Sequence, residues 1–188
     1  MKKYTIIGGI NGVGKSSLSG VLSQDHNDLG IIIDTDKITA KSGGDKIKGG
    51  KEAIRLINDC LTKEINFTQE TTLSGRKTLK TVEAARNKGY YIRLFYVGIS
   101  SAEESLLRIE NRVRKGGHNI SADDVVRRFQ SRFENLAKIL PYCNEVHFFD
   151  NENGFVYAGE YRNGQLFTVG DYIPDWIKAL KEYLAKVR

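Results

Sequence analysis

The run "IIGGINGVGKSS" at residues 6–17 limits what this chain can fold into more than any other stretch. Its spacing Gly9-x4-Gly14-Lys15-Ser16 is that of a phosphate-holding loop, the P-loop. Glycines let successive backbone N–H groups curl around phosphate oxygens with no Cβ in the way. A helix starting near Lys15 points its positive end at the same oxygens. In such a loop Lys15 reaches the outer phosphates of ATP and the Ser16 hydroxyl ligates Mg²⁺. The cradle is expected to comprise Gly9, Asn11, Gly12, Val13, Gly14, Lys15, Ser16 and Ser17. The flanks agree with this. Tyr4–Gly8 reads as a buried strand, and Lys15–Leu22 begins a helix with Leu18, Val21 and Leu22 on one side.

The remaining pattern alternates strands with helices, which predicts an α/β fold of P-loop NTPase type: a parallel sheet with helices on both faces. Ile31–Asp34, Asn66–Glu70, Tyr90–Ile99 and Val146–Phe149 read as strands. Glu52–Glu64, Gly75–Lys88, Glu103–Lys115 and Ala122–Leu140 read as helices, and the Gly- and Lys-rich Lys41–Lys51 as a flexible loop. Residues 155–170 carry two apolar-rich runs around Asn163-Gly164, the favoured two-residue hairpin turn. The expectation is one domain over residues 1–188, with its core at about 3–151 and an appended hairpin and helix over 155–187.

Only Met1, Lys2 and Lys3 precede the first strand and no apolar run reaches membrane length, so a cytoplasmic chain without membrane contact is expected. Cys60 and Cys143 are far apart and read as free thiols of a reducing compartment. His26, His118 and His147 form no ligand-spaced set. The net charge is +6, and residues 108–132 supply +4 of it. Such a stripe meets nucleic acid, or the phosphates of a small nucleotide, or only water. Phe129 alone interleaves aromatic character with these charges, which argues against a polynucleotide partner.

A P-loop does not name a reaction. "NKGY" at 87–90 and "TKEI" at 62–65 lack the aspartate of a guanine-reading motif. "LSGRK" at 73–77 shares three residues with the signature of transport ATPases, but it precedes the strongest strand, which ends without acid. A small-molecule kinase needs a phosphate cradle, an acid at a strand end and arginines for the transferring group. "IIIDTDKI" at 31–38 offers Asp36 as the catalytic acid with Asp34 beside it, although either aspartate also reads as a helix cap. "QETTLSGR" at 69–76 offers Glu70, Thr71, Thr72 and Arg76 to the acceptor, with Ser74 as an alternative cap. "RIENRVRKGGHNIS" at 108–121 places Arg108 and Arg112 on one helical face, with Arg114 just beyond. Gly116-Gly117 would then be the hinge of a closing lid, approached by Arg127, Arg128 and Arg132 from the next helix.

In this order "GGINGVGKSS", "IIIDTDKI", "ETTLSGR" and "RVRKGGHNIS" resemble the zeta-toxin-like P-loop kinases over about residues 3–151, most of all their small bacterial predicted-ATPase branch. The resemblance implies ATP and Mg²⁺ on Lys15 and Ser16, Asp36 as the catalytic aspartate, and Glu70 as the acid near the acceptor. It implies a phosphate clamp in the lid, with Arg114 the best match and Arg112 or Arg128 as further members. Zeta toxins phosphorylate a UDP-amino sugar, UDP-N-acetylglucosamine, so the resemblance implies a small hydroxyl-bearing acceptor and an antitoxin partner. This chain is shorter than the toxins and shows no obvious equivalent of their full acceptor region. The crevice between Asp36 and Glu70 should favour a polar, hydroxyl-rich acceptor, with Lys41, Lys46 and Lys48 folding over its charge. The competing readings are a kinase of nucleic-acid ends and an ATPase that moves a partner protein.

Overall fold

The computed structural model describes residues 1–117 and 119–187. Seven strands form one sheet in the order β2-β3-β1-β4-β5-β6-β7. β1 (Lys3–Gly8), β2 (Ile31–Asp34), β3 (Phe67–Thr71), β4 (Tyr91–Gly98) and β5 (Glu145–Asp150) run parallel. β1, β3 and β4 are buried almost end to end, as strands covered on both faces must be. One face carries Tyr4, Ile6, Phe67, Leu94 and Phe148. The other carries Ile7, Phe95 and Val97 under Leu18 and Leu22 of α1 (Lys15–Asp25).

The Lys41–Lys51 loop is corrected by the structure. α2 (Thr35–Lys41) starts directly after β2, and α3 (Lys46–Lys63) already contains Lys46 and Lys48. Asp45 caps α3, its carboxylate accepting from the N–H groups of Ile47 at 2.9 Å and Lys48 at 3.0 Å. Gly49 serves close packing of two helices, since a Cβ there would lie 2.1 Å from Thr39 Oγ1.

α4 (Lys77–Asn87) and α5 (Ala102–Arg114) follow the expected pattern. The single helix expected over 122–140 is two, α6 (Ala122–Gln130) and α7 (Arg132–Ile139). At the break, the Ser131 hydroxyl donates to the Arg127 carbonyl at 3.0 Å and Arg132 Nη1 to the Phe129 carbonyl at 2.6 Å, which draws backbone acceptors away from the helical ladder.

The hairpin forms where its turn predicts it, with φ of 52° at Asn163 and 76° at Gly164. It is not an appendage. β6 (Val156–Arg162) pairs antiparallel with β5, and β7 (Gln165–Thr168) closes the sheet. α8 (Asp175–Lys186) locks this end, its Trp176 buried and donating through Nε1 to Asp150 Oδ1 at 2.7 Å. Among the described residues no helix is long and apolar enough to cross a membrane, and Cys60 and Cys143 are free thiols. His118, within the expected lid, lies outside the described residues.

Candidate active site

The carboxyl ends of β1, β2 and β3 open on a cleft of about 400 Å³, where an open α/β sheet carries its ligand site. On its floor lies the glycine loop. Gly9 has φ +143°, and a Cβ on it would stand 2.4 Å from the Val97 carbonyl oxygen. Gly14, with φ +95°, precedes α1, and its hydrogen faces Asn151, which holds the loop by donating to the Val13 carbonyl at 2.8 Å. Lys15 opens α1 and folds back, its Nζ donating to the Ile10 carbonyl at 2.8 Å. Burial lowers the Lys15 pKa to about 8, against the opposing charges of Asp36, Glu70 and Asp34.

Parallel register sets Glu70 beside Ile7 on one side and Asp34 on the other. The Ser16 hydroxyl donates to Glu70 Oε2 at 2.7 Å. Glu70 Oε1 is buried without a hydrogen-bond partner. Burial raises the Glu70 pKa, and the Asp34 charge adds to that, against the Ser16 hydrogen bond. A hydroxyl and an orphaned carboxylate oxygen fit a hard cation such as Mg²⁺. Among the described residues no three His, Cys, Asp or Glu side chains form a metal-holding group. Mg²⁺ would therefore be held by Ser16 and Glu70 together with phosphate and water, the usual arrangement for that ion.

The two aspartates part company. Asp34 is buried and caps α2, accepting from the N–H groups of Asp36 at 2.9 Å and Lys37 at 3.2 Å. Asp36, one step into the helix, is exposed in the cleft. Of the third-strand motif, Thr71 and Thr72 line the cleft but also build its turn, Thr71 with Thr78 at 2.9 Å and Thr72 with Ser74 at 2.6 Å. Ser74 makes no cap to α4. Arg76 is exposed at the start of α4 and does not line the cleft. None of Lys41, Lys46 and Lys48 lines it either, because the last two are held in α3.

The basic stripe divides. Arg108, Arg112 and Arg128 line the cleft. Arg108 is held by Glu104 at 2.6 Å and the Glu152 carbonyl at 3.0 Å. Arg128 donates to Asn11 Oδ1 at 2.5 Å, and its Nε is buried without a partner. Arg114 is a correction: it points to solvent, 70% exposed, and pairs with Glu110 at 2.7 Å. Two residues past Arg112, it lies about 200° further round the helix, on the wrong face. Arg127 pairs with Asp124 on the surface, and Arg132 stacks on Phe129 and Phe133. Arg108 shares the cleft with Arg112, the two lying four residues apart on one helical face as their spacing in sequence reads. Lys77 and Thr78 also line the cleft and carry no sequence signal.

A sequence model of the family described as zeta toxin matches residues 51–160. That span holds Glu70 and the arginines, while the glycine loop and the aspartates precede it. An uncharacterized protein of Haemophilus influenzae is 36% identical over 126 residues, 64% of this chain and 88% of that one. Among solved structures, one of the PezAT chromosomal toxin-antitoxin system of Streptococcus pneumoniae superposes with a TM-score of 0.66 at 17% identity, over 99% of this chain and 85% of its own. A complex of AvrRxo1-ORF1 and ORF2 with ATP gives a TM-score of 0.69 at 13% identity, over 98% of this chain and 63% of its own.

Proposed function

The chain belongs to the zeta-toxin family and is by class a P-loop phosphotransferase, and on that premise we propose that it moves the γ-phosphoryl group of ATP to a hydroxyl of a small polar molecule. The observation that carries this reading is the meeting, in one cleft, of Lys15 and the Ser16–Glu70 pair with Arg108, Arg112 and Arg128. Loop N–H groups and Lys15 hold the β- and γ-phosphates. Ser16 and Glu70 would hold Mg²⁺, which when bound would neutralise charge on the phosphate oxygens. Arg112 and Arg128 face the same oxygens as charge spreads over them. Asp36 accepts the acceptor's hydroxyl proton as that oxygen bonds to the γ-phosphorus. The bond from that phosphorus to the β–γ bridging oxygen breaks, and ADP leaves with the electron pair. Asp34 is unsuited to the proton because its carboxylate is committed to the α2 backbone.

Asp36→Asn keeps the shape and removes the base. Transfer is expected to fall by roughly 10²–10⁴, with ATP affinity within a few-fold. Single-turnover assays with Mg·ATP and a panel of hydroxyl compounds, read by mass spectrometry, check this. The UDP-amino sugar implied by the resemblance is the first acceptor to try. An unchanged rate in Asp36→Asn removes the base from this residue. Steady ATP hydrolysis with no compound ever gaining phosphate favours the partner-driven ATPase. The likeness to the PezAT system supports an antitoxin-type protein partner as well.

A further inference from the structure

Two helices lie side by side near β3 and do not close on each other. On α3, Gly50, Ala53, Ile54, Ile57 and Leu61 recur at helical spacing on one face. On α4, Lys77, Lys80, Thr81 and Ala84 do the same. Small residues on both faces leave a pocket of about 260 Å³ between them. A side chain at Gly50 would meet no atom within 4 Å, and Ile54 stays 41% exposed, so the helices alone do not finish burying this surface. The pocket runs into the nucleotide cleft, since Thr35, Gln69 and Lys77 line both. Thr35 is the chain neighbour of Asp36. Among the described residues neither Lys77 nor Lys80 is ion-paired.

We propose that this pocket holds the body of the phosphoryl acceptor, and that the acceptor is an amphipathic anion: a hydroxyl compound with an apolar or aromatic body and an acidic group. The inference rests on the kinase reading above and uses the transfer step written there. An apolar body gains by leaving water for Ala53, Ile57 and Leu61. A wholly polar sugar could bond to Thr35, Asn58, Gln69 and Thr81 at the rim, but its hydroxyls against Ala53, Ile54, Ile57 and Leu61 would lose water with no partner in return. The acidic group meets Lys77 and Lys80, and the hydroxyl reaches Asp36 past Thr35. An apolar wall of Ala53, Ile54, Ile57 and Leu61 faced by polar side chains that fix orientation is the usual make-up of a small-molecule site. This departs from the polar, hydroxyl-rich class expected from Asp36 and Glu70 alone: the hydroxyl end stays polar, and the body does not.

The probe is 1-anilinonaphthalene-8-sulfonate, an aromatic body with one sulfonate, titrated by fluorescence into the native protein with and without Mg·ATP. One saturable site that ATP does not displace is expected. Gly50→Leu, which places a side chain in open space, should weaken it roughly tenfold, a loss comparable to excluding part of a buried ligand. Lys80→Glu, on an exposed position, should weaken it a few-fold and carries the test if Gly50→Leu does not fold. Calorimetry should find Mg·ATP binding unchanged in both variants. Absence of a saturable site, or equal affinity in wild type and both variants, overturns the proposal. A wild type that binds the probe but no Mg·ATP overturns the acceptor role through failure of the kinase reading, and calorimetry tells the two apart. In the transfer assay, hydroxyphenyl and long-chain hydroxy acids should gain phosphate ahead of glycerol and glucose; the reverse preference overturns the proposal.

Discussion

In the proposed reading residues 9–17 meet phosphate with backbone and residues 108–132 with side chains, and the two stretches differ in how far their geometry depends on the rest of the molecule. In the loop, each N–H is aimed by the φ angles of its neighbours, such as +143° at Gly9 and +95° at Gly14. Nine consecutive residues carry the cradle itself, with Asn151 and Glu70 bonding to it from outside. In the arginine arm, six arginines share one charge and have three fates. Arg108, Arg112 and Arg128 face the cleft, Arg114 and Arg127 pair on the surface, and Arg132 packs on two aromatic rings. What separates them is helix phase and the break at Ser131, which charge composition does not record. A charged stripe is therefore a weaker statement about function than a short loop of fixed spacing.

The sharpest test of this contrast is Lys15→Ala. It should lower phosphoryl transfer by roughly 10³ or more, since in the proposed reading the loop loses its own cation at the outer phosphates. Nucleotide binding by calorimetry should weaken with it, and retention of wild-type affinity and rate would break the loop's half of the comparison. Arg128→Ala comes next. A drop of roughly 10² in kcat with little change in ATP affinity is expected if its guanidinium acts in the transition state. An equal loss in Arg114→Ala would restore the family-based assignment and break the other half.

A smaller effect follows from the Lys15 pKa of about 8. The protonated form binds phosphate, so nucleotide affinity should fall by up to about tenfold per pH unit above that value. Stability moves the other way. The folded pKa lies below the usual lysine value of 10.5, so the burial cost of the charge is fully present below pH 8 and is relieved as pH rises from 8 to 10.5. Lys15→Met should raise the melting temperature of the ligand-free protein at pH 7, and the advantage should shrink across that window. A variant that melts at or below wild type would mean that the Lys15 charge is not strained. Least of all, Arg114→Ala should change transfer by less than about twofold and stability by less than about 0.5 kcal/mol in chemical denaturation, as an exposed pair does.

The divide between legible and illegible features follows the same line. Strand cores such as Tyr4–Gly8 and the Asn163-Gly164 turn are local patterns, and each stands where the sequence puts it. Lys41–Lys51 misleads because glycine reads as flexibility, whereas Gly49 is small so that α2 can sit against α3. The residues after 151 mislead for a related reason: strand pairing is made across the chain, and only the antiparallel register of β5 with β6 joins the hairpin to the main sheet. In "IIIDTDKI" both acids were visible, but the sequence did not say that Asp34 would be used up in capping α2 while Asp36 stayed open to the cleft.

By itself the sequence determined the glycine loop, the parallel α/β order and the supply of acids and arginines, because each depends on spacing over a few residues and on the backbone's limited conformations. Tertiary structure alone decided which of those acids and arginines share a cleft, that Ser16 bonds to Glu70 across 54 positions of chain, and that a pocket stays open between α3 and α4. These are meetings of side chains distant in sequence. They are set by sheet register and by the packing of helix faces, and no local pattern carries either.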